Sequence, residues 1–145
     1  MNFSLTDEQN DLINSLNNTL KSFDDDYWFE CDKIPKYPDK FVQAMADGGW
    51  LGIAMPINYG GSDLGVTEAA LMMITIAEKG GMTAASSIHM NIFGPSSIVK
   101  FANNEQKDSW LPKIINGQTK MCFAITEPDT GLDTTRLKTK AVKNK

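Results

Sequence analysis

Basic charge, histidine and cysteine are all scarce in this sequence. Its 145 residues carry 14 Lys and Arg against 18 Asp and Glu, a formal net charge of −4 at pH 7 with a single histidine. That balance offers no electrostatic footprint for a phosphate backbone, so DNA and RNA are excluded as main partners. The two cysteines, Cys31 and Cys122, lie far apart and match neither a metal-ligand spacing nor a disulfide framework; both read as free thiols of a reducing cytoplasm. Residues Met1 to Glu8 lack the basic and apolar regions of a secretory signal and are too acidic for a transit peptide. Long apolar runs are missing too. The stretch from Gly80 to Val99 is free of Lys, Arg, Asp and Glu, but its four serines, with Thr83, His89, Asn91 and Pro95, make bilayer insertion costly. It reads instead as a helix buried in protein. There is no G-x-G-x-x-G, no phosphate loop and no Cys-x-x-Cys. The acidic run Asp24 to Asp26 reads as solvated loop, and Glu127, Asp129 and Asp133 do not follow calcium-loop spacing, so no metal site is expected.

What is present is a chain of ordinary domain size, 41% apolar before its eleven glycines are counted, able to bury one core. Thr6 and Gln9 form a capping box ahead of a first helix whose stripe is Leu12, Ile13, Leu16, Leu20 and Phe23. The acids at 24–26 end it, and Trp28 to Lys36 reads as irregular chain. Pro38 opens a second helix buried through Phe41, Val42, Met45 and Ala46 and stopped by Gly48 and Gly49. A short apolar run, Trp50 to Ile53, leads into the turn-rich Pro56 to Gly61. Thr67 caps a third helix buried along Ala70, Leu71, Ile74 and Ala77 and closed by Gly80. A fourth occupies much of Thr83 to Phe101, kinked near Gly94 by Pro95. Asn103 or Asn104 caps a fifth, with Trp110, Leu111, Ile114 and Ile115 as its apolar face and Gly117 as its end.

The pattern then changes. Met121 to Thr126 alternates with period two and predicts a strand, Pro128 halts it, Gly131 turns it, and Leu137 to Lys143 alternates again. Two strands left unpaired at the end of a helical domain give the chain the look of one cut off. The fold class expected is therefore mainly α: about five helices over residues 1–119, then the first one or two strands of a β-domain over 120–145. On residue chemistry alone, His89 reads first as a packed core histidine. Thr126 and the Gly131 bend put a hydroxyl and backbone N–H groups where a ligand could meet them, but a plain strand and Asp/Gly turn explains them as well. No catalytic triad can be assembled.

One stretch carries a resemblance. Phe123-Ala124-Ile125-Thr126-Glu127-Pro128 with Gly131 and Asp133, followed by Thr139-Lys140-Ala141, resembles the Thr-Glu-Pro signature of the acyl-CoA dehydrogenases. Upstream, Leu5 to Gln9 resembles the family's opening helix. Leu51-Gly52-Ile53 with Pro56 and Tyr59-Gly60-Gly61 resembles its Pro-x-x-Tyr-Gly-Gly loop, and Asn104 to Lys107 with Trp110-Leu111-Pro112 resembles the helix before the signature. The likeness runs in order along essentially the whole chain. It implies an N-terminal helical domain and the opening of a flavin-binding middle β-domain. FAD is the implied cofactor, with Phe123, Ile125 and Thr126 at the flavin ring and Gly131 and Leu132 at the phosphates. Leu132 stands where the family usually has serine, so a side-chain hydroxyl contact is lost and only its N–H remains. Ser86, His89, Met90 and Phe93 are the implied acyl-pocket residues.

The implied activity is oxidation of an acyl-CoA thioester to the 2,3-enoyl-CoA, as in fatty acid metabolism. An electron-transfer flavoprotein or similar acceptor would take the electrons, and a homo-oligomer is implied for the full-length enzyme. No residue here is nominated as catalytic, because the family's glutamate base belongs to a C-terminal domain that these residues do not match; the chain alone is expected to be inactive. The alternative is a non-catalytic helical module that pairs with another subunit.

Overall fold

The computed structural model describes residues 4–143, so the outer limits drawn at 1 and 145 lie outside the described residues. Among them are six α-helices: α1 (Asp7–Leu20), α2 (Asp25–Lys33), α3 (Asp39–Asp47), α4 (Val66–Phe93), α5 (Ser96–Phe101) and α6 (Asn104–Ile115), with 3-10 turns at Trp50–Gly52, Ile57–Tyr59 and Thr134–Arg136. No helix is long and apolar enough to cross a membrane among the described residues.

The Thr6–Gln9 capping box forms as expected, each residue's side chain taking the other's backbone N–H. The acidic run does not end a helix; it starts one. Asp24 caps α2 by accepting the Tyr27 N–H at 3.0 Å, and Asp25 and Asp26 occupy the first turn, where the partial positive charge of the helix end favours carboxylates. Trp28 to Lys33, expected as irregular chain, is therefore helical. Trp28 turns inward, donating its indole N–H to the Phe23 carbonyl at 3.2 Å. Phe23, Tyr27, Trp28 and Phe41 meet edge to face with ring centroids 5.0–5.3 Å apart, the arrangement that the ring quadrupoles favour.

Helix α4 starts at Val66 rather than after a Thr67 cap, and the Glu68 carboxylate reaches back to the Gly65 N–H at 3.0 Å. Its first half is rotated from expectation: Ala69, Met72, Thr75 and Ile76 are buried, while Ile74 is 55% exposed. Almost every position from Ala69 to Ala77 is apolar, so periodicity could not choose the face; packing along α1 chose it. The expected third and fourth helices run on as one element, broken at Gly81 with φ 67° and ψ −171°. Pro95 separates α4 from α5.

Leu16, Phe41, Met45, Leu51, Met72, Ile76, Ala84 and Ile88 form the main core, and Met55, Leu111, Ile114 and Ile115 a smaller one beneath α6. Between them the loop after Ile53 folds back on itself. Ser62, Asp63 and Leu64 donate their N–H groups to the carbonyls of Gly52, Met55 and Ile53 at 2.8–3.0 Å. Trp110, expected on the buried face of α6, is 46% exposed.

The two expected strands are absent among the described residues. Beyond Thr119 the described chain is irregular apart from the turn at Thr134–Arg136 and pairs only in one isolated bridge, Glu127 with Thr130. A strand is defined by its partner's hydrogen bonds, and here the second segment turns its N–H groups to a side chain instead.

Candidate functional site

Helix α4 ends at the surface in a row of the residues singled out from the sequence. Ser86 is exposed, His89 and Met90 are half-buried, and Phe93 is 43% exposed. They fall three or four residues apart, the spacing that puts them on one helix face. His89 is not a core histidine: its Nδ1 lies 3.0 Å from the Ser86 carbonyl of the preceding turn, and its ring stacks on Phe93 at 5.7 Å. Phe93 in turn meets Phe123 edge to face at 5.4 Å. The structure thus brings the helix row and the segment after α6 together at one aromatic contact.

Sequence reasoning missed the residue that makes this contact possible. Asn91 is 6% exposed, donates to the Thr119 carbonyl at 3.0 Å and accepts the Met121 N–H at 2.9 Å. It pins the departing chain on both sides of Lys120, two residues before Phe123. A lone amide in an apolar helix was the available signal, since a buried amide must find backbone partners. Lys120 adds an ion pair to Asp39 at 2.8 Å and lies 3.8 Å over the Tyr37 ring. Tyr37 donates its hydroxyl to the Ser87 carbonyl at 2.7 Å; burial raises its pKa above 10.0, with Lys120 opposing and Asp39 reinforcing the shift.

Further along, Ile125 is half-buried, and the exposed Thr126 hydroxyl makes no hydrogen bond among the described residues. Residues 127–139 then close on themselves. The N–H groups of Glu127 and Thr130 each donate to the other's carbonyl, at 2.9 and 3.1 Å, and buried Thr130 aims its hydroxyl at the Arg136 carbonyl at 3.4 Å. The Glu127 carboxylate accepts the N–H groups of Lys138 and Thr139 at 2.9 and 2.7 Å and the Thr139 hydroxyl. Those three donors, the Thr139 hydroxyl foremost, hold its pKa below the ordinary 4.5. At the tip of the closed loop the N–H groups of Gly131 and Leu132 have no partner among the described residues. Nothing lies within 4 Å of where a Gly131 Cβ would stand. The Leu132 side chain is fully exposed and touches nothing that would assign it a role.

Two adjacent N–H groups without a partner among the described residues are a donor set suited to an anionic oxygen. The free Thr126 hydroxyl and half-exposed Phe123 ring suit a planar polar heterocycle on the same segment. Their chemistry is compatible with a ligand that has a planar polar ring and an anionic group. They form an open face rather than a closed cavity. The depression lined by Tyr27, Cys31, Ile34 and Tyr37 contains none of them.

Comparison with known proteins decides the family. Residues 6–118 match the acyl-CoA dehydrogenase N-terminal domain. This chain belongs to the acyl-CoA dehydrogenase family. It is 32% identical to the acryloyl-CoA reductase (NADH) of Anaerotignum propionicum over 143 residues, 98% of this chain and 36% of that protein. It is 37% identical to the mitochondrial isovaleryl-CoA dehydrogenase of Bos taurus over 105 residues, 72% of this chain and 24% of that protein. A solved structure of the electron transferring flavoprotein of Acidaminococcus fermentans contains a chain that superposes with a TM-score of 0.81 and 26% identity, covering 94% of this chain and 36% of its own. The chain therefore spans about a quarter to a third of the length of the relatives it matches. The family match takes in all six α-helices among the described residues.

Proposed function

We propose that this chain forms the helical wall and the flavin-facing segment of an FAD-dependent enzyme that interconverts an acyl-CoA and its 2,3-enoyl-CoA. The observation that carries the reading is one continuous segment that leaves α6, rests Phe123 on Phe93, and ends in the unpaired N–H groups of Gly131 and Leu132. Phe123, Ile125 and Thr126 would border the ring system and Gly131 and Leu132 the diphosphate. Ser86, His89, Met90 and Phe93 would border the acyl group. FAD, where bound, supplies the hydride acceptor. The chain's own residues orient it and shield one side of it from water. Residues 1–119 act as the helical unit and 120–145 as the cofactor-facing unit. Proton abstraction next to the thioester needs a base, and the carboxylates of this segment are already engaged, Glu127 by three donors, Asp129 by Lys138 and Asp133 by Thr135. We assign the base to residues outside this chain, which by itself would not turn over. The full enzyme would be a cytoplasmic homo-oligomer that passes electrons to an electron-transfer flavoprotein.

A second reading concerns direction. The acryloyl-CoA reductase and the 3-(aryl)acrylate reductase of Clostridium sporogenes, the latter 31% identical over 104 residues, are named for reductions. The same positioned residues serve either direction, because forward and reverse reactions share one transition state.

Titrating FAD into the purified chain tests the reading. Quenching of flavin fluorescence that saturates, and that weakens in Phe123→Ala, is the expected result, together with no dye-linked oxidation of acyl-CoA thioesters. Unquenched flavin at millimolar protein would sink the cofactor assignment, and sustained turnover by the chain alone would sink the assignment of the base.

A further inference from the structure

The half-buried Glu127 carboxylate has an unusual set of partners for an acid. It reaches across its own loop, taking the N–H groups of Lys138 and Thr139 and the Thr139 hydroxyl. The ammonium of Lys138 pairs with Asp129 instead, at 3.1 Å. Glu127 is thus bound to backbone, across eleven and twelve residues of chain, and not to charge. The segment it closes has little else to hold it. One bridge joins Glu127 to Thr130, Asp133 caps the short turn at Thr134–Arg136 through the Thr135 N–H, and Thr130 is its single buried residue. Among the described residues, the bend that carries the Gly131 and Leu132 N–H groups lies outside every helix and strand, just before the turn at Thr134–Arg136. An anion site made of backbone donors binds well only if those donors are already held in place, since ordering a loop on binding costs conformational entropy.

We infer that Glu127 is a positioning residue. It latches residues 138 and 139 to the start of the loop and so presets the Gly131–Leu132 bend for the diphosphate of a dinucleotide. The inference rests on the cofactor reading above for its ligand, but the latch itself is a property of the free chain. Removing the carboxylate leaves the helices untouched, frees the Lys138 and Thr139 N–H groups, and lets the bend sample many conformations. Replacing the Lys138 side chain leaves the latch in place, because its contribution comes from its backbone N–H.

The test uses the whole chain and three variants, Glu127→Ala, Glu127→Gln and Lys138→Ala. Two readouts are followed: amide hydrogen exchange at Lys138 and Thr139 without flavin, and FAD affinity from fluorescence quenching. Exchange at both amides should speed by about tenfold in Glu127→Ala, less in Glu127→Gln, and stay unchanged in Lys138→Ala. FAD affinity should fall by about tenfold in the same order, with helical circular dichroism constant throughout. Unchanged exchange in Glu127→Ala would overturn the latch. Faster exchange with unaltered FAD affinity would overturn its positioning role. An original chain that takes up no FAD, while its Glu127→Ala variant still exchanges faster, would remove the cofactor reading and its diphosphate, and leave the latch standing.

Discussion

At the scale of single residues, two positions show how local chemistry is fixed by what lies close by. A Cβ on Gly61 would stand 2.1 Å from the Met55 carbonyl oxygen, a backbone atom in the middle of the folded-back loop that cannot step aside. Gly61→Ala should therefore destabilise the chain by about 3 kcal/mol in urea unfolding. The Tyr-Gly-Gly motif was visible as a turn in the sequence; why its second glycine must lack a side chain was not, because Met55 approaches only after folding. Glu127 makes the complementary point with charge. Its folded pKa is held below 4.5 by donors to the ionised form, so the stabilisation is fully present above that ordinary value and is lost as pH falls through the lower folded value. The amide resonances of Lys138 and Thr139 should shift together across that acidic window, and in Glu127→Gln the shared transition should disappear.

At the scale of elements, helix α4 depends on one backbone break. Gly81 sits at φ 67° and ψ −171°, a region open essentially to glycine alone. Gly81→Ala should cost about 1–3 kcal/mol in thermal unfolding. The same scale explains the mistaken reading of α2. A run of acids resembles solvated loop when scanned for hydrophobic period, yet one Asp at a cap and two in a first turn are a helix start. The deciding information was that Trp28, one turn later, has an aromatic cluster to enter.

At the scale of the whole molecule, Asn91 joins the helical body to the segment that follows it. Asn91→Ala removes both of its bonds and leaves the Thr119 carbonyl and Met121 N–H without their buried partner. A loss of about 2 kcal/mol in stability is expected. Amide exchange should also quicken from Met121 through Phe123, beyond the reach of a purely local change. FAD affinity should fall in parallel, because Phe123 reaches Phe93 only while the chain is pinned there.

The Thr6–Gln9 capping box, the apolar stripes of α1 and α3, the break at Pro95 and the order of the family motifs were all determined by sequence alone. Each is a local pattern whose physics is complete within a few residues. Tertiary structure decided the rest: which face of α4 is buried, that Trp28 is core, and that His89 stacks on Phe93 instead of being enclosed. It also closed residues 127–139 into a loop where alternation predicted strands at 121–126 and 137–143. Period two says only that a segment suits a sheet, and pairing needs a neighbour whose hydrogen bonds no single segment can supply. In this chain the Glu127 carboxylate supplies those bonds, a contact across eleven residues that no local pattern announces.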